Sequence, residues 1–515
     1  MALHYQCFPN LYKDSVSLMQ ISARLNALDG VEQASVAMAT PANIERMRDA
    51  GLDITLEARP NDLLIALDAG DEVAAQALEL AATLLRPSAT QETSDASHRP
   101  AVSIAMGVHD EMQANFALIS VPGRYAAAEA LKALSQGLHV MLFSDNVPEE
   151  HEAAIKRYAR EHDLLVMGPD CGTAIINGMP LGFANVVRRG SIGLVAASGT
   201  GLQEVSCHIH HLGAGVSQAI GTGGRDLHEA IGGLSMIQGI AMLAEDPETD
   251  LIVLISKPPA PGIMQKVLAS ARQCGKPVVV HFLGAEDHCL EYEGVIPARS
   301  LLHAAQVAVA TSEGKKTPQE SNTRESFLAE ARAKIGTMAA VQKDIRGVFA
   351  GGTFCYEAQL ALLAAGLSCE SNAPVKGAEH LQNRQQGSGH SLVDMGDDEF
   401  TQGRPHPMID PTLRNARLLS EGRDPATAVL LFDIVLGYGA SADPCATLLP
   451  VLDTLQREAV QGQRTLVLIA HVCGTEDDPQ NRQQQIERLH QAGVLVAESN
   501  IEAARLAAFV AQQRK

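Results

Sequence analysis

The densest group of chemically active side chains in the sequence lies between Gly389 and Pro411. Within it, Arg404 can bind a carboxylate or phosphate through two parallel hydrogen bonds, and His406 can transfer protons near neutral pH. Prolines on both sides of His406 disfavour helix and hold the backbone around the ring. Asp410 follows closely enough to orient the histidine. We therefore predict Arg404, His406 and Asp410 as catalytic residues.

Three further carboxylates precede this trio in the same segment: Asp394, Asp397 and Asp398. They could orient the arginine and the histidine, or bind Mg²⁺, which prefers oxygen ligands. The alternative is a rigid surface loop whose acidic residues are merely solvated. Rigid loops that combine arginine, histidine and aspartate carry sites more often than spacers, so we favour a functional segment.

Two strand-to-helix turns of similar composition are candidates for an anion site. They consist of Ser198, Gly199 and Thr200, and of Gly351, Gly352 and Thr353. Glycine lets the backbone approach an anion, threonine supplies a hydroxyl, and the start of a helix favours negative charge. Two such starts facing one point would bind a phosphoryl or acyl-phosphate group. The alternative is that each turn is an ordinary N-cap.

Two other glycine-rich turns follow predicted strands. One contains Gly223 and Arg225, and the other contains Gly437 and Gly439. They could complete the same anion site, or they could be plain strand-to-helix turns.

Metal and disulfide motifs are weak in this sequence. The nine cysteines are scattered without a C-x-x-C pair, which argues against a zinc site or a disulfide framework and favours a reducing compartment. His208 and His211 share one helical face, but no third ligand stands nearby. We predict no metal site there.

The elements that must position these residues read as two copies of one unit, residues 191–312 and 345–515. Five of ten positions are identical between Val195–Glu204 and Val348–Glu357. Three more pairs of blocks keep their order while the offset grows from 153 to 199: Glu245–Thr249 with Arg423–Thr427, His281–Asp287 with His471–Asp477, and Gly294–Val295 with Gly493–Val494. We interpret the pattern as a duplicated α/β domain, with Gly389–Pro411 mostly inside an insertion of the second copy.

Apolar strand-like runs alternate with helical patterns almost throughout, which predicts parallel sheets covered by helices. We predict an α/β protein with a small ferredoxin-like module, a partial Rossmann-like domain and two flavodoxin-like domains. The predicted boundaries are 1–87 for the module, 88–100 for a linker, 101–190 for the Rossmann-like domain, 191–312 and 345–515 for the copies, and 313–344 for a linker with a helix.

Composition restricts the class of protein. The net charge of −20 over 515 residues argues against nucleic-acid or anionic-membrane partners, which usually face a basic surface. The first residues lack a signal-peptide pattern, and no apolar run is long enough to span a bilayer. We predict an acidic, multidomain, cytoplasmic protein.

Four ordered motifs between Ala114 and Ala310 resemble the α subunit of succinyl-CoA synthetase: Ser120–Gly123, Ser144–Pro148, Gly168–Gly172 and Ala197–Thr200. Residues 345–515 are similar to the carboxyl-terminal ligase domain of its β subunit. The fusion with the N-terminal module resembles the FdrA family, in a shorter form of the YahF type. The resemblance implies an acyl-CoA synthetase ancestry and a link to carbamoyl transfer from oxalurate, which yields oxamate and carbamoyl phosphate.

The same resemblance implies a CoA-like pocket formed by Pro122, Arg124, Asn146 and Cys171. Cys171 stands where the family holds the pantetheine end of CoA, but no histidine pairs with it in the sequence, so we expect a buried structural thiol. Arg124 could contact a ligand phosphate or be solvent-exposed. The Gly-rich first half of the expected nucleotide-binding unit is missing.

The chain departs from the nucleotide-driven members of this superfamily. Those proteins carry phosphate on a histidine loop, which the short stretch Gly284–Gly294 has no room for. Nothing resembles an ATP-grasp domain, and no G-x-x-x-x-G-K-[ST] motif is present. The chain alone should not couple ATP to thioester formation.

We favour a subunit of an acyl- or carbamoyl-transfer enzyme that handles a small carboxylate and an acyl or carbamoyl phosphate. One alternative is an acyl-CoA ligase whose partner supplies the nucleotide chemistry. Another is a non-catalytic binding or regulatory subunit. Partner subunits are expected from the resemblance, whereas the substrate and the stoichiometry do not follow from the sequence.

Overall fold

The computed structural model describes residues 2–9, 11, 13, 15–49, 51–52, 54, 58–59, 61–85, 101–111, 113–286, 290, 292–320, 322–383, 386–401 and 404–514. They form two compact units: Met1–Met112 with Phe400–Asp410, and Gln113–Glu399 with Pro411–Lys515. The predicted linker 88–100 lies outside the described residues, and the finer domain boundaries stay predictions. None of the described helices has the length and apolar character needed to cross a membrane.

The first unit is built around a small antiparallel sheet. Its described elements are β1 (Ala2–Phe8), α1 (Ser15–Asn26), β2 (Val31–Met38), α2 (Pro41–Asp49), β3 (Leu63–Ala69), α3 (Asp71–Leu85) and α4 (Ile104–Asp110). β3 lies between β1 and β2 and pairs antiparallel with both. Its apolar residues are buried on both faces, because Ile65 and Leu67 join one core while Leu64 and Ala66 join another.

The second unit begins with a short parallel sheet of the Rossmann type. The strands β4 (Phe116–Ile119), β5 (His139–Leu142) and β6 (Val166–Met167) lie in the order β4-β5-β6 and are joined by α5 (Gly123–Ser135) and α6 (Glu149–Glu161). The prediction of a partial Rossmann-like sheet at this place is confirmed.

The next sheet has the order β13-β12-β11-β9-β10-β7-β8. Strands β9 to β13 run parallel, and the hairpin of β7 and β8 adds an antiparallel edge. The elements are β7 (Thr173–Ile176), β8 (Met179–Gly182), β9 (Arg189–Ala197), α7 (Gly199–His211), β10 (Val216–Gly221), α8 (Leu234–Glu245), β11 (Leu251–Ser256), α9 (Pro261–Gln273), β12 (Val278–Phe282), β13 (Val295–Pro297) and α10 (Leu301–Ser312).

The last sheet is parallel and has the order β16-β15-β17-β14-β18-β19-β20. Its elements are α11 (Glu325–Ile335), β14 (Asp344–Phe349), α12 (Gly352–Ala364), β15 (Glu370–Ser371), β16 (Glu379–His380), β17 (Ser391–Asp394), α13 (Asp398–Thr401), α14 (Thr412–Arg423), β18 (Thr427–Val435), α15 (Pro444–Gln461), β19 (Val467–Cys473), α16 (Arg482–Gln491), β20 (Leu495–Ala497) and α17 (Asn500–Gln512).

The two large sheets bury their central strands on both faces, which explains the near-continuous apolar runs of β11, β18 and β19. In each sheet a helix starts directly after a central strand, α7 after β9 and α12 after β14. Parallel sheets bind ligands at this carboxyl edge. The α/β prediction with parallel sheets is confirmed.

The prediction that Gly389–Pro411 lies mostly in an insertion is wrong for its first part. Ser391–Asp394 forms β17, a fully buried strand that pairs with β14 from Arg346 opposite Ser391 to Phe349 opposite Asp394. An offset between repeats counts residues without showing which of them pair. The apolar centre of β17 belongs to the sheet, and Asp394 is therefore the last residue of a core strand.

Candidate functional site

Ser198 and Thr353 bring the two predicted helix starts together. Ser198 Oγ lies 2.7 Å from Thr353 Oγ1, and both side chains are buried. Ser198 is also the N-cap of α7 and accepts a hydrogen bond from Gly201 N at 3.1 Å, whereas the N-cap of α12 is Gly351. The capping alternative therefore holds for Ser198, but it does not account for the contact between the helices. We call Ser198–Thr200 and Gly351–Thr353 the paired helix starts.

Gly351 is tightly packed, and the first start is one of its neighbours. A Cβ on Gly351 would lie 2.7 Å from Phe354 Cδ2 and 3.0 Å from both Thr200 Cγ2 and Asp433 Oδ2. Asp433 accepts hydrogen bonds from the amides of Ala350 and Gly351, each at 2.7 Å. Burial raises the pKa of Asp433, while Arg414 and the two amides act against this shift. A buried carboxylate of β18 thus holds the turn that precedes α12.

The paired helix starts present backbone donors to solvent. The first amides of a helix have no acceptor inside that helix, and the aligned peptide dipoles add partial positive charge there. Gly199 is exposed and Gly352 is partly exposed, so their amides can reach a ligand. Two helix starts with accessible amides at one point can hold an anion.

Lys257, which no sequence motif singles out, adds a full positive charge to this region. It is exposed directly after β11, and its Nζ lies 5.5 Å from the ring centre of Tyr356 in α12. Burial raises the pKa of Asp394 to about 6, although the charge of Lys257 acts in the opposite direction. The one indication of a role for Lys257 was its position directly after β11. This strand pairs with β9 in the parallel sheet, so the two strands end at the same edge.

Carboxylates from different loops gather beside Lys257. Although part of the Asp170 side chain is exposed, burial raises its pKa to about 7. The charges of Asp145 and Asp398 raise this pKa further, while Arg225 and Lys257 lower it. Burial and Asp145 also raise the pKa of Asp398. The structure therefore brings two predicted residues, Arg225 and Asp398, close to Asp145 and Asp170, which lie in two of the sequence motifs but were not predicted as site residues.

A buried carboxylate behind the paired helix starts was likewise not predicted. Glu204 Oε2 in α7 lies 2.7 Å from His471 Nε2, and Glu204 Oε1 lies 3.0 Å from His208 Nε2. Asn500 N, at the start of α17, donates to Glu204 Oε1 at 3.3 Å. Burial would raise the pKa of Glu204, but the two histidines hold it well below its usual range. The available signal was the identity of Glu204 and Glu357 in the aligned blocks.

Glu357, the aligned carboxylate of α12, has different neighbours. It accepts hydrogen bonds from Leu301 N at 3.0 Å and from Asn500 Nδ2 at 2.9 Å. Burial raises the pKa of Glu357 to about 7. Burial also lowers the pKa of His281, the counterpart of His471, to about 4, and among the described residues its Nε2 has no partner.

The other two glycine-rich turns have packing roles. A Cβ on Gly223 would lie 2.2 Å from Pro169 O, and one on Gly437 would lie 2.6 Å from Ala184 O. A Cβ on Gly439 would lie 2.9 Å from an aromatic ring of the same neighbouring loop. All three have positive φ angles, so glycine is required for the backbone as well. These contacts agree with the alternative prediction, that both segments are plain strand-to-helix turns.

Pro122 and Asn146, two of the residues predicted to form a CoA-like pocket, lie on two loops that contact each other. Pro122 is the N-cap of α5, and a Cβ on the next residue would lie 2.6 Å from Asn146 O. The Arg124 guanidinium lies 4.7 Å from the ring centre of Tyr125. Cys171 is buried, and burial raises the pKa of its thiol to about 12, so it is protonated at neutral pH.

The charges near these loops do not fit the diphosphate of CoA. Burial and the charges of Asp145 and Asp398 raise the pKa of Asp170, and burial and the charge of Asp145 raise the pKa of Asp398. The cations among them are Arg225 and Lys257, and the Arg225 guanidinium is already bonded to a backbone carbonyl at 2.7 Å and to a buried carboxylate at 3.0 Å. A polyanion would meet more negative than positive charge here. We derive no step through CoA.

Arg404, His406 and Asp410 lie in the first compact unit, and their part in the site stays a prediction. Arg404 is exposed, whereas His406 and Asp410 are partly buried. Met408 N donates to His406 Nδ1 at 3.2 Å. Burial lowers the pKa of His406 to about 4, so its ring is neutral at pH 7. Such a ring can accept a proton in catalysis but cannot begin as the acid.

The described residues contain no group of three His, Cys, Asp or Glu side chains that could hold a metal ion. His208 is committed to Glu204, and its ring centre lies 6.1 Å from that of His211. Asp397 Oδ1 accepts a hydrogen bond from Glu399 N at 3.0 Å. Mg²⁺ binding by the acidic residues therefore gains no support from the geometry.

Two sizeable cavities lie away from the paired helix starts. One of about 410 Å³ is lined by Gln386, Ser420, Arg423 and Asp424, and one of about 660 Å³ by Arg299, His303, Glu320 and Asn322. Neither lining includes a residue of the paired helix starts or Lys257.

Comparison with known proteins gives two family matches. Residues 348–510 match a CoA-ligase family, and residues 1–101 match the "AllF, heavy metal-associated domain" family. The chain is also similar to solved structures: PH0766 of Pyrococcus horikoshii OT3 (15% identity, 77% of this chain, 84% of that chain, TM-score 0.33) and ATP citrate lyase of Methanothrix soehngenii (16%, 45% of each, 0.36). Both TM-scores are too low to support an argument.

The residues of the N-terminal module do not fit a heavy metal. Cys7 is the only cysteine of residues 1–101, and it packs beside the small core that contains Leu64 and Ala66. Burial and the nearby Asp62 raise the pKa of its thiol. Thiols bind metals as thiolates, so a protonated lone cysteine is a poor ligand. We assign no metal to this module.

Among curated proteins, the α subunit of succinate–CoA ligase of Aquifex aeolicus is 28% identical over 246 residues, which are 46% of this chain and 76% of that protein. The α subunit of malate–CoA ligase of Methylorubrum extorquens is 28% identical over 43% of this chain and 73% of its own length. The uncharacterized protein YahF of Escherichia coli K12 is 45% identical over 97% of this chain and 96% of its own length. With its acyl-CoA-ligase-like α/β scaffold, the chain belongs to the family of YahF.

Proposed function

We propose that the chain is a subunit of an enzyme that transfers an acyl or carbamoyl group between phosphate and a small carboxylate substrate. The observation that carries this proposal is the contact between Ser198 and Thr353. It joins two helix starts from different sheets, so that amides of both helices are available to one ligand. A phosphoryl group has enough oxygens to accept from both.

The same geometry suits the departure of phosphate from an acyl or carbamoyl phosphate. Charge builds on the phosphate oxygens as the bond to the acyl carbon breaks, and donors already in place stabilise that charge without reorganisation. Lys257 adds a mobile cation that can pair with a carboxylate or a phosphate oxygen. Both reactants are anions, so a site with two helix dipoles and a lysine is needed to hold them together.

Arg404, His406 and Asp410 enter this proposal as residues that handle the carboxylate substrate. With a pKa of about 4, His406 would accept a proton from an attacking amide nitrogen and not donate one. If His406→Ala and Arg404→Ala both leave the activity of the assembled enzyme unchanged, these roles are excluded. A loss of about 10²-fold or more for His406→Ala is the expected result.

Partner subunits and a cytoplasmic location are parts of the same proposal. The similar proteins named as α subunits of CoA ligases support a partner, and scattered free cysteines support a reducing compartment. An acyl-CoA ligase remains the second candidate because a CoA-ligase family matches residues 348–510. The carboxylates Asp145, Asp170 and Asp398 beside the CoA-like loops argue against it, whereas the paired helix starts offer backbone donors to an anion.

The test is an assay of the chain purified together with its native partners. Carbamoyl phosphate is supplied with a series of small 2-oxo acid amides, and free phosphate and carbamoylated product are measured. We expect Ser198→Ala combined with Thr353→Val to lower the rate by about 10²-fold, because the contact that holds the donors of the two helices in place is lost. The matched control is Ser217→Ala, whose hydroxyl lies 2.6 Å from Thr249 Oγ1 in a buried pair elsewhere.

Each contrary outcome has a distinct meaning. Tight CoA binding by calorimetry, without phosphate release from carbamoyl phosphate, would favour the ligase. If no small anion shifts the melting temperature, with or without partners, a non-catalytic subunit is the better description. Equal rates for the double variant and for Ser217→Ala would remove the paired helix starts from the reaction.

A further inference from the structure

The side chain of Asp394 lies beside Gly352, the first residue of α12, where the proposed anion would bind. Asp394 is the last residue of β17, and its side chain is only 7% exposed. A Cβ on Gly352 would lie 2.4 Å from Asp394 Oδ2. The carboxylate therefore occupies the space next to the first residue of the helix, and Gly352 has to be glycine for it to do so.

One carboxylate oxygen of Asp394 accepts a hydrogen bond, and the other accepts none from the described residues. Gly396 N donates to Asp394 Oδ1 at 2.9 Å. The backbone of Asp394 is fixed by Asn372, which accepts from its amide at 2.9 Å and donates to its carbonyl at 3.0 Å. Among the described residues, none donates a hydrogen bond to Oδ2. A nearly buried carboxylate thus directs a free oxygen at the paired helix starts.

The charged and titratable groups around Asp394 come from each element packed against it. Lys257 follows β11, Asp397 follows β17, Asp433 lies in β18 and Cys355 lies in α12. Burial raises the pKa of Asp394 to about 6, with Asp397 and Asp433 acting in the same direction and Lys257 against it. The Asp394 carboxyl therefore changes its charge within the pH range of ordinary binding experiments.

An ionised Asp394 and a bound anion would compete for the positive end of α12. They would also repel each other, and because Asp394 is nearly buried, water screens its charge only weakly. Protonation of Asp394 removes the repulsion and turns its free oxygen into a donor towards the ligand. We infer that an anion binds to the paired helix starts together with a proton, which Asp394 carries.

This inference rests on the proposed function only in taking the paired helix starts as an anion site. It adds that the ligand is an oxyanion and that the neighbouring carboxyl of Asp394 is protonated when the anion is bound. A phosphoryl oxygen would then receive a hydrogen bond from Asp394 in addition to those from the helix amides. The free protein should take up one proton for each anion bound.

The test uses sulfate, because its charge does not change between about pH 5 and pH 8, so that any pH dependence belongs to the protein. Sulfate binding to the full chain is measured by calorimetry at several pH values and in buffers of different ionisation enthalpy. We expect the affinity to rise by up to about tenfold for each unit of falling pH above the pKa of Asp394, with about one proton taken up.

Asp394→Asn should remove this dependence. The amide keeps the shape and the acceptor for Gly396, and it should bind sulfate with one affinity at all pH values, about tenfold or more tighter than the native chain at pH 8. Asp397→Asn is the matched control, because it neutralises a nearby carboxylate that is not at the helix start, and it should keep the slope. Lys257→Gln should weaken sulfate binding and move the slope to higher pH.

The possible failures can be told apart. If sulfate binds and Ser198→Ala with Thr353→Val weakens it, but pH and Asp394→Asn have no effect, the proton inference is overturned and the anion site stands. If sulfate does not bind at any pH, the anion site and the proposed function fail together with the inference. Should Asp394→Asn not fold, the proton count from the buffer series on the native chain decides the question.

Discussion

Glu204 and Glu357 are aligned residues on equivalent helices, yet the protein uses them in opposite ways. Each accepts a backbone amide from the last described helix of the opposite sheet: Glu204 from Asn500, and Glu357 from Leu301. Only Glu204 has histidines as further partners, and only Glu357 binds the Asn500 side chain. As a result, the pKa of Glu204 lies well below its usual range, whereas that of Glu357 is raised to about 7.

The comparison teaches that alignment places a carboxylate without deciding its charge. Similar strands and helices carry the two glutamates to reciprocal positions, which supports the interpretation as a duplication. The surroundings that set the pKa come from side chains in which the two halves differ. The paired helix starts follow the same rule, since Ser198 aligns with Gly351 and only one of the two can carry a side chain.

The largest effect should come from Glu204→Gln. It removes the charge that faces His471 and His208 in a buried cluster, and breaking such a cluster on one side costs about 3–5 kcal/mol of unfolding free energy. Glu357→Gln should cost less, about 1–2 kcal/mol, because that carboxyl is partly protonated at neutral pH and the amide loses only one of the two hydrogen bonds that it accepts. Urea unfolding of both variants measures the difference. Equal losses would mean that the two sites are electrostatically alike.

The next effect compares the two caps. Gly351→Ser would place a Cβ 2.7 Å from Phe354 Cδ2 and 3.0 Å from Thr200 Cγ2 and Asp433 Oδ2, and such crowding in a packed region costs about 1–3 kcal/mol. Ser198→Gly should cost about 1 kcal/mol or less, since glycine is an acceptable N-cap. Thermal unfolding checks both. A tolerated Gly351→Ser with unchanged anion binding would show that the helix starts are farther apart than described.

The third effect is a difference in the direction in which the two glutamates make the unfolding free energy change with pH. Glu204 has a depressed pKa, so its stabilisation is present above about pH 4.3 and is lost as the pH falls. Glu357 has a raised pKa, so stability decreases as the pH rises from about 4.3 to about 7. Glu357→Gln should flatten the second range and Glu204→Gln should reduce the acid loss. Unfolding free energies between pH 4 and pH 8 measure both, and a shared sign would contradict the comparison.

The smallest effect concerns the two aligned histidines. His281→Leu should change the unfolding free energy by about 1 kcal/mol, because Nε2 has no partner among the described residues and the ring is neutral. His471→Leu should cost about 3 kcal/mol or more, since it leaves Glu204 without its nearest partner. Calorimetric melting of the two variants ranks them. A larger loss for His281→Leu would reverse the assigned roles.

Much of the fold could be predicted from the sequence. Strands and helices alternate along most of the described chain as the apolar pattern indicates, because burial periodicity is written directly into the residue types. The Gly-Thr turns are also where the motifs place them. The segment after Gly389 shows the limit, because its apolar residues became the core strand β17 and not a loop.

The candidate site could be predicted only in part. Ser198 and Thr353 carry local motifs, and their types alone suggest a polar contact. Lys257 stands in no motif, and its relevance comes from the adjacency of β11 and β9. The partners of Glu204 lie up to 296 residues away in the chain, at Asn500. No local pattern can report a pairing of that length.

The sequence by itself determined the elements: which runs become strands, that helices begin at the Gly-Thr turns, and that two halves share one plan. These properties depend on neighbouring residues and on the period of the apolar pattern. Only the tertiary structure decided that the two helix starts meet through Ser198 and Thr353, that Glu204 is charged while Glu357 titrates near pH 7, and that Asp394 reaches Gly352. The reason is that pKa values and close contacts depend on burial and on distances of a few ångströms between distant parts of the chain.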